Sequence, residues 1–175
     1  MNLPFTKKEV LLAVVFIILY ILLGNARSAR PNPFIPGAVI TISIIVPIIA
    51  GLIKGKRMGT IVGITATALN TLTPAGGLLN GSLYELLAVI PHGLMGYIAG
   101  KYREEISTIL VAGSALAAGT ILHIALLLIF LKLSLSTIAE STFIIGTLLE
   151  VGLTTVIAII FYYIYRIGFI HGTDN

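Results

Sequence analysis

The chain has 175 residues, 57% of them hydrophobic and only 10% charged, with a mean hydropathy of +1.06. A soluble domain of this size has too little interior to hide so much apolar surface, so lipid must cover much of it. Cysteine is absent, which excludes disulfides and thiolate metal centres, and the net charge of +4 gathers at segment ends rather than along one face, which argues against nucleic acid as a partner.

A polar start carrying Lys7 and Lys8 leads into a first apolar span at about 10–24. No A-x-A-like cleavage site follows it, so it reads as a retained helix rather than a signal peptide. Pro31 and Pro33 keep 27–34 out of helix. The second span is expected at about 35–53, with Pro47 as a kink. Gly51, Gly55, Gly59 and Gly63 then recur at every fourth position around Lys54, Lys56 and Arg57. This is a tight cytoplasmic hairpin, in which basic residues mark the inner face and small ones admit a neighbouring backbone. The third span, about 58–72, is rich in Gly, Ala and Thr, and an uncharged turn-rich loop occupies 73–81. The fourth span, about 82–100, is broken in its middle by Pro91 and Gly93, and a polar connector covers 101–105. The fifth, about 106–131, exceeds the roughly 20 residues a bilayer needs, so it must tilt, kink or overshoot. The sixth, about 138–165, ends in Phe161, Tyr162, Tyr163 and Tyr165, an aromatic belt for the inner interface.

Six spans make one all-α polytopic membrane domain over 1–175, with both termini on one side. That side carries Lys7, Lys8, Lys54, Lys56, Arg57, Lys101, Arg103 and Arg166, and the other carries Arg27, Arg30 and Lys132. Eight against three predicts cytoplasmic termini.

This orientation sets the depth of each polar residue. Asn25 and Asn70 fall at outer helix ends, Tyr84 and Glu85 just inside the outer end of the fourth span, and His123 in the outer half of the fifth. His92 and Glu150 lie nearer mid-membrane, while Arg27, Arg30, Asn32 and Asn80 belong to outer loops. Glu85 and His92, seven residues apart, share a helix face, and Phe143, Thr147, Glu150 and Thr154 form a similar stripe. A carboxylate inside the bilayer costs about 2.5–3.5 kcal/mol on insertion scales unless it is paired or hydrated. Glu150 is therefore a candidate ligand-binding group, set against a plain interhelical contact with His123 or a tyrosine. The histidines have the same alternative, and Arg27 and Arg30 have that of snorkelling to headgroups. No H-E-x-x-H, G-x-S-x-G or P-loop occurs. Ser43 or Ser114 with His123 lacks any supporting context, so no enzyme is expected. No helix carries an arginine ladder.

The run PIIAGLIKGKRMGTIVGITATALNTL, the uncharged Pro-Gly-Gly loop and LAVIPHGLMGYIAGKY together resemble the substrate-binding S components of energy-coupling factor (ECF) vitamin transporters, over about 44–101. The resemblance implies a six-helix subunit of the cell membrane that captures a vitamin or related micronutrient on its outer side, with no cofactor and no catalytic step. It would deliver its substrate with a T subunit and two ATPases. The family's pocket maps onto 27–34, 73–81 and helices four to six, which nominates Arg30, Asn70, Asn80, Tyr84, Glu85, His123 and Glu150. The mixture mildly favours a cationic or amine-bearing ring compound. The family's helix-one Ala-x-x-x-Ala is absent, since Ile17 follows Ala13, so docking is assigned to Gly51, Gly55 and Gly59 or to the small-residue face of helix five. The chain opens Met-Asn-Leu-Pro rather than Met-His, which argues against a metal substrate. The alternative is a non-transporting scaffold of the cell envelope, similar to rod-shape protein D.

Overall fold

In hydrocarbon every backbone polar group must find its partner within the protein, which turns long apolar runs into helices. The computed structural model describes residues 5–25, 30–35, 39–74, 78, 83–131 and 134–171. Helix α1 is Lys7–Asn25. A capping box opens it: Thr6 N and Oγ1 donate to Glu9 Oε2 at 2.8 and 2.9 Å, and Glu9 N donates to Thr6 Oγ1 at 3.2 Å. Two short strands, β1 at Arg30–Pro31 and β2 at Val39–Ile40, pair antiparallel. A 3-10 turn, Ile42–Ile44, leads into α2, Ile45–Lys54. Then come α3 at Lys56–Asn70, α4 at Tyr84–Leu87 and α5 at Val89–Tyr102. The remaining helices are α6 at Thr108–Phe130, α7 at Leu135–Ala139 and α8 at Ser141–His171. Helices α1, α6 and α8 are long and apolar enough to cross a membrane, which marks an all-helical membrane protein.

The prolines act differently from expectation. Helix α2 begins at Ile45, not near 35, and Pro47 is its third residue. A proline in the first turn forfeits no helical bond, since that N–H has no intrahelical partner, so Pro47 opens a helix instead of kinking one. Pro91 likewise stands in the first turn of α5. The break in the fourth span falls upstream of it at Ala88, whose N–H bonds to Glu85 O at 3.0 Å. The expected sixth span divides into α7 and α8, with Glu140 extended between them.

Helices α2, α3 and α5, with 10, 15 and 14 residues, rise roughly 15, 22 and 21 Å and form the centre. Every residue of α2 from Ile45 to Leu52 is buried, as expected of a helix apolar all round. Glycine sets the spacing. A Cβ on Gly51 or Gly59 would strike the Gly96 carbonyl, one on Gly63 the His92 carbonyl, and one on Gly100 the Lys56 backbone. The close approach that Gly51 and Gly59 offered to a docking partner is thus taken up inside the chain, where both are buried. Gly55, at φ +87°, makes the turn between α2 and α3 and stays partly exposed.

The longer helices surround this centre. Phe16 and Tyr20 of α1, Ala112 and Leu116 of α6 and Ala158 of α8 face inward, whereas Leu11, Ile121 and Leu148 are each more than 60% exposed. Outward apolar faces of this kind suit lipid. At one end of the bundle, Arg57 stacks over Phe5 at 4.1 Å and Lys56 sits 6.0 Å over Tyr97. There too Arg103 Nη1 donates to Ile53 O at 3.1 Å, closing the last turn of α2. Tyr165 of α8 shares a groove at this end with Lys8 and Lys54. Asn25, Asn70, Tyr84 and His123 meet at the opposite end.

Candidate functional site

The polar groups at the end opposite the Gly55 hairpin are organised around Tyr20. Its ring lies on α1 with no accessible surface, and its hydroxyl donates to Glu85 Oε1 at 3.2 Å. The Tyr20 hydroxyl oxygen lies 2.8 Å from His92 Nδ1 and accepts from Thr67 Oγ1 at 3.2 Å. Thr67 Oγ1 is itself 2.9 Å from His92 Nδ1. A phenol has one proton to give. With that proton directed to Glu85, the short Tyr20–His92 contact requires the imidazole proton on Nδ1, donated to the phenol oxygen. Asn70 Nδ2 supplies the second donor to Glu85 Oε1, at 2.9 Å. Asn25 Nδ2 in turn donates to Asn70 Oδ1 at 2.9 Å. One relay therefore joins α1, α3, α4 and α5. Ser43 Oγ is buried beside the Tyr20 hydroxyl.

A second group adjoins the first. His123 of α6 donates from Nε2 to Tyr84 O at 3.4 Å, and its ring packs on Tyr84 with centroids 4.8 Å apart and planes tilted by 59°. Its edge also meets His92 at 6.4 Å. The Tyr84 phenol is within electrostatic reach of both Glu85 and Glu150, and Glu150 of α8 faces the Thr41 backbone amide. From His123 to Phe130, α6 continues for about 10 Å, and from Glu150 back to Ser141, α8 extends roughly 13 Å. Buried Asn32 fastens the segment after β1 to α8 by donating from Nδ2 to Gly146 O at 3.0 Å. Its Oδ1 accepts from Phe34 N and Ile35 N at 3.0 and 3.3 Å.

Of the residues nominated from sequence, Asn70, Tyr84, Glu85, His123 and Glu150 come to this one end. Arg30 lies in β1, and Asn80 and Arg27 lie outside the described residues. Glu85 and His92 both reach Tyr20, as their shared face implied. His123 bonds to a carbonyl and not to Ser43 or Ser114 among the described residues. Tyr20 and Thr67 were not nominated. The available signal was the spacing of Gly63, Thr67 and Asn70, which lines one face of α3 with a close-packing residue and two hydrogen-bonding ones. Among the described residues no three His, Cys, Asp or Glu side chains gather as a metal would require. Chemically the site offers two carboxylates and a tilted aromatic pair, with the amide donors of Asn25 and Asn70 engaged within it. Comparison with protein-family models, with curated proteins and with solved structures finds no match to this chain, so a functional reading rests on these side chains.

Proposed function

We propose that this chain is the substrate-capture subunit of an ECF-type importer, binding a vitamin or related small micronutrient at the end opposite the Gly55 hairpin. In this reading six segments cross the cell membrane, both termini are cytoplasmic, and a T subunit with two ATPases drives release inward. The observation that carries it is the convergence of Tyr84, Glu85, His123 and Glu150, from three separate elements. Carboxylates at membrane depth are tolerated where they face a water-filled, ligand-sized hollow. The paired strands β1 and β2 at the same end are tolerated there for the same reason. The Tyr84–His123 pair provides faces for a ring, and Glu150 provides charge for an amine. With Gly51 and Gly59 engaged internally, docking falls to Gly55 and to the small residues Gly113, Ser114 and Ala117 of α6, none of them buried.

Mass spectrometry of small molecules released from purified, denatured protein tests the reading, with a vitamin-like compound expected at near-stoichiometric level. The Glu150→Gln variant is expected to bind that compound at least tenfold more weakly, roughly 1.4 kcal/mol. Unchanged affinity in a folded variant removes Glu150 from the site. One observation favours the envelope-scaffold alternative: Glu85 already has two internal donors, Tyr20 and Asn70. Protein that is consistently empty and copurifies with cell-wall machinery establishes that alternative.

A further inference from the structure

At the hairpin end, a half-open groove of about 330 Å³ lies between the start of α1, the end of α2 and the end of α8. Leu11, Leu12 and Val15 line its length, and Lys8, Lys54 and Tyr165 stand at its mouth with Glu9. We propose that this groove is a binding site for an anionic membrane phospholipid, with one acyl chain lying against Leu11, Leu12 and Val15 and the headgroup phosphate held by Lys8 and Lys54. Charge complementarity identifies the occupant. Both lysines are exposed, and neither makes an ion pair among the described residues. The one acid at the mouth, Glu9, accepts at Oε2 from both Thr6 N and Thr6 Oγ1 and lies within electrostatic reach of Lys54, which leaves two lysines against one carboxylate. The mouth is thus net positive while the floor is apolar, a pairing that matches an anionic headgroup attached to a hydrocarbon chain. Depth agrees with chemistry. Leu11 and Val15 belong to the lipid-facing surface of a helix long enough to cross a membrane. Lys8 sits at the start of α1 and Tyr165 near the end of the apolar span of α8, where lysine and tyrosine favour the headgroup level.

The site is independent of whatever binds at the opposite end, so its test does not involve a vitamin. The full-length protein is reconstituted in nanodiscs of equal phosphatidylglycerol and phosphatidylcholine, released, and weighed by native mass spectrometry. One phosphatidylglycerol is expected to remain per chain, with phosphatidylcholine retained at least tenfold less. The Lys8→Gln/Lys54→Gln double variant alters only exposed side chains. It is expected to hold phosphatidylglycerol about 30-fold more weakly, equivalent to about 2 kcal/mol at 1.4 kcal/mol per decade. Val15→Trp fills the groove without touching its charges and is expected to abolish retention. Equal retention of the two lipids overturns the proposal, as does a lysine double variant that behaves like the parent. Full retention by Val15→Trp also overturns it, because binding would then need no groove.

Discussion

Tyr20 shows how much one hydroxyl can organise inside a membrane protein. Its partners Thr67, Glu85 and His92 lie 47, 65 and 72 residues away in sequence, so the phenol fixes three segments that no local pattern connects. Tyr20→Phe keeps the ring but leaves two donors, Thr67 and His92, and one acceptor, Glu85, without the group that joined them. Stranding buried polar groups costs about 1–3 kcal/mol, and a loss in that range is expected in thermal unfolding of the detergent-solubilised protein. Glu85→Gln should cost less than half as much, because the glutamine oxygen still accepts from Tyr20 and Asn70. Equal losses in the two variants would show that the Glu85 charge, rather than the hydroxyl, holds the relay. The sequence exposed one side of this arrangement and concealed the other. Glu85 and His92 are seven apart, and that interval survives the break at Ala88. Tyr20 sits alone in an apolar run, where a tyrosine reads as an interface marker, because its partners declare themselves only once the helices are packed.

At the scale of elements, the glycine ladder was visible in sequence but its target was not. Gly51, Gly55, Gly59 and Gly63 announced a close approach, while the surface they approach comes from Gly93, Gly96 and Gly100, in a later helix. Each set is a small-residue stripe that suits any partner, and contact alone selects one. The prolines failed for a related reason. Pro47 and Pro91 break helices only if helix would otherwise run through them, and here each sits in a first turn. Two substitutions separate packing from propensity. Gly96→Ala would drive a methyl group into the Gly59 backbone, where neither helix can yield. A loss of about 1–3 kcal/mol or more is expected, read as a fall in the midpoint of thermal unfolding and in folded yield. At Gly152 a Cβ meets nothing within 4 Å, so Gly152→Ala is expected to be neutral or to stabilise by up to about 1 kcal/mol through helix propensity. If both substitutions behave alike, the α3–α5 contact is looser than these glycines indicate.

For the whole molecule, the decisive quantity is the parity of crossings. If only α1, α6 and α8 traversed the bilayer, the chain would start and finish on opposite faces. Yet Lys8 near the start of α1 and Tyr165 near the end of α8 line a single groove with Lys54, and Phe5 lies under Arg57. The start of α1 and the later part of α8 therefore share one end of the bundle, which supports the proposed even number of crossings, in which the shorter α2, α3 and α5 would also lie within the membrane. Short central helices are acceptable because the longer ones shield them from lipid, so their ends meet protein rather than hydrocarbon. Which face holds the termini is a matter of charge. Lys54, Lys56, Arg57, Lys101 and Arg103 all lie at the end shared by the termini, and that excess favours the cytoplasm. The chain contains no cysteine, so a single introduced thiol reports its own side. A membrane-impermeant maleimide applied to intact cells is expected to label Ser136→Cys, whereas Lys56→Cys and Glu104→Cys should react only after permeabilisation. Labelling of the hairpin and the α5–α6 connector from outside would turn the molecule over. The Tyr84–Glu85–His123–Glu150 cluster would then open to the cytoplasm, where a capture subunit for external nutrients has nothing to capture.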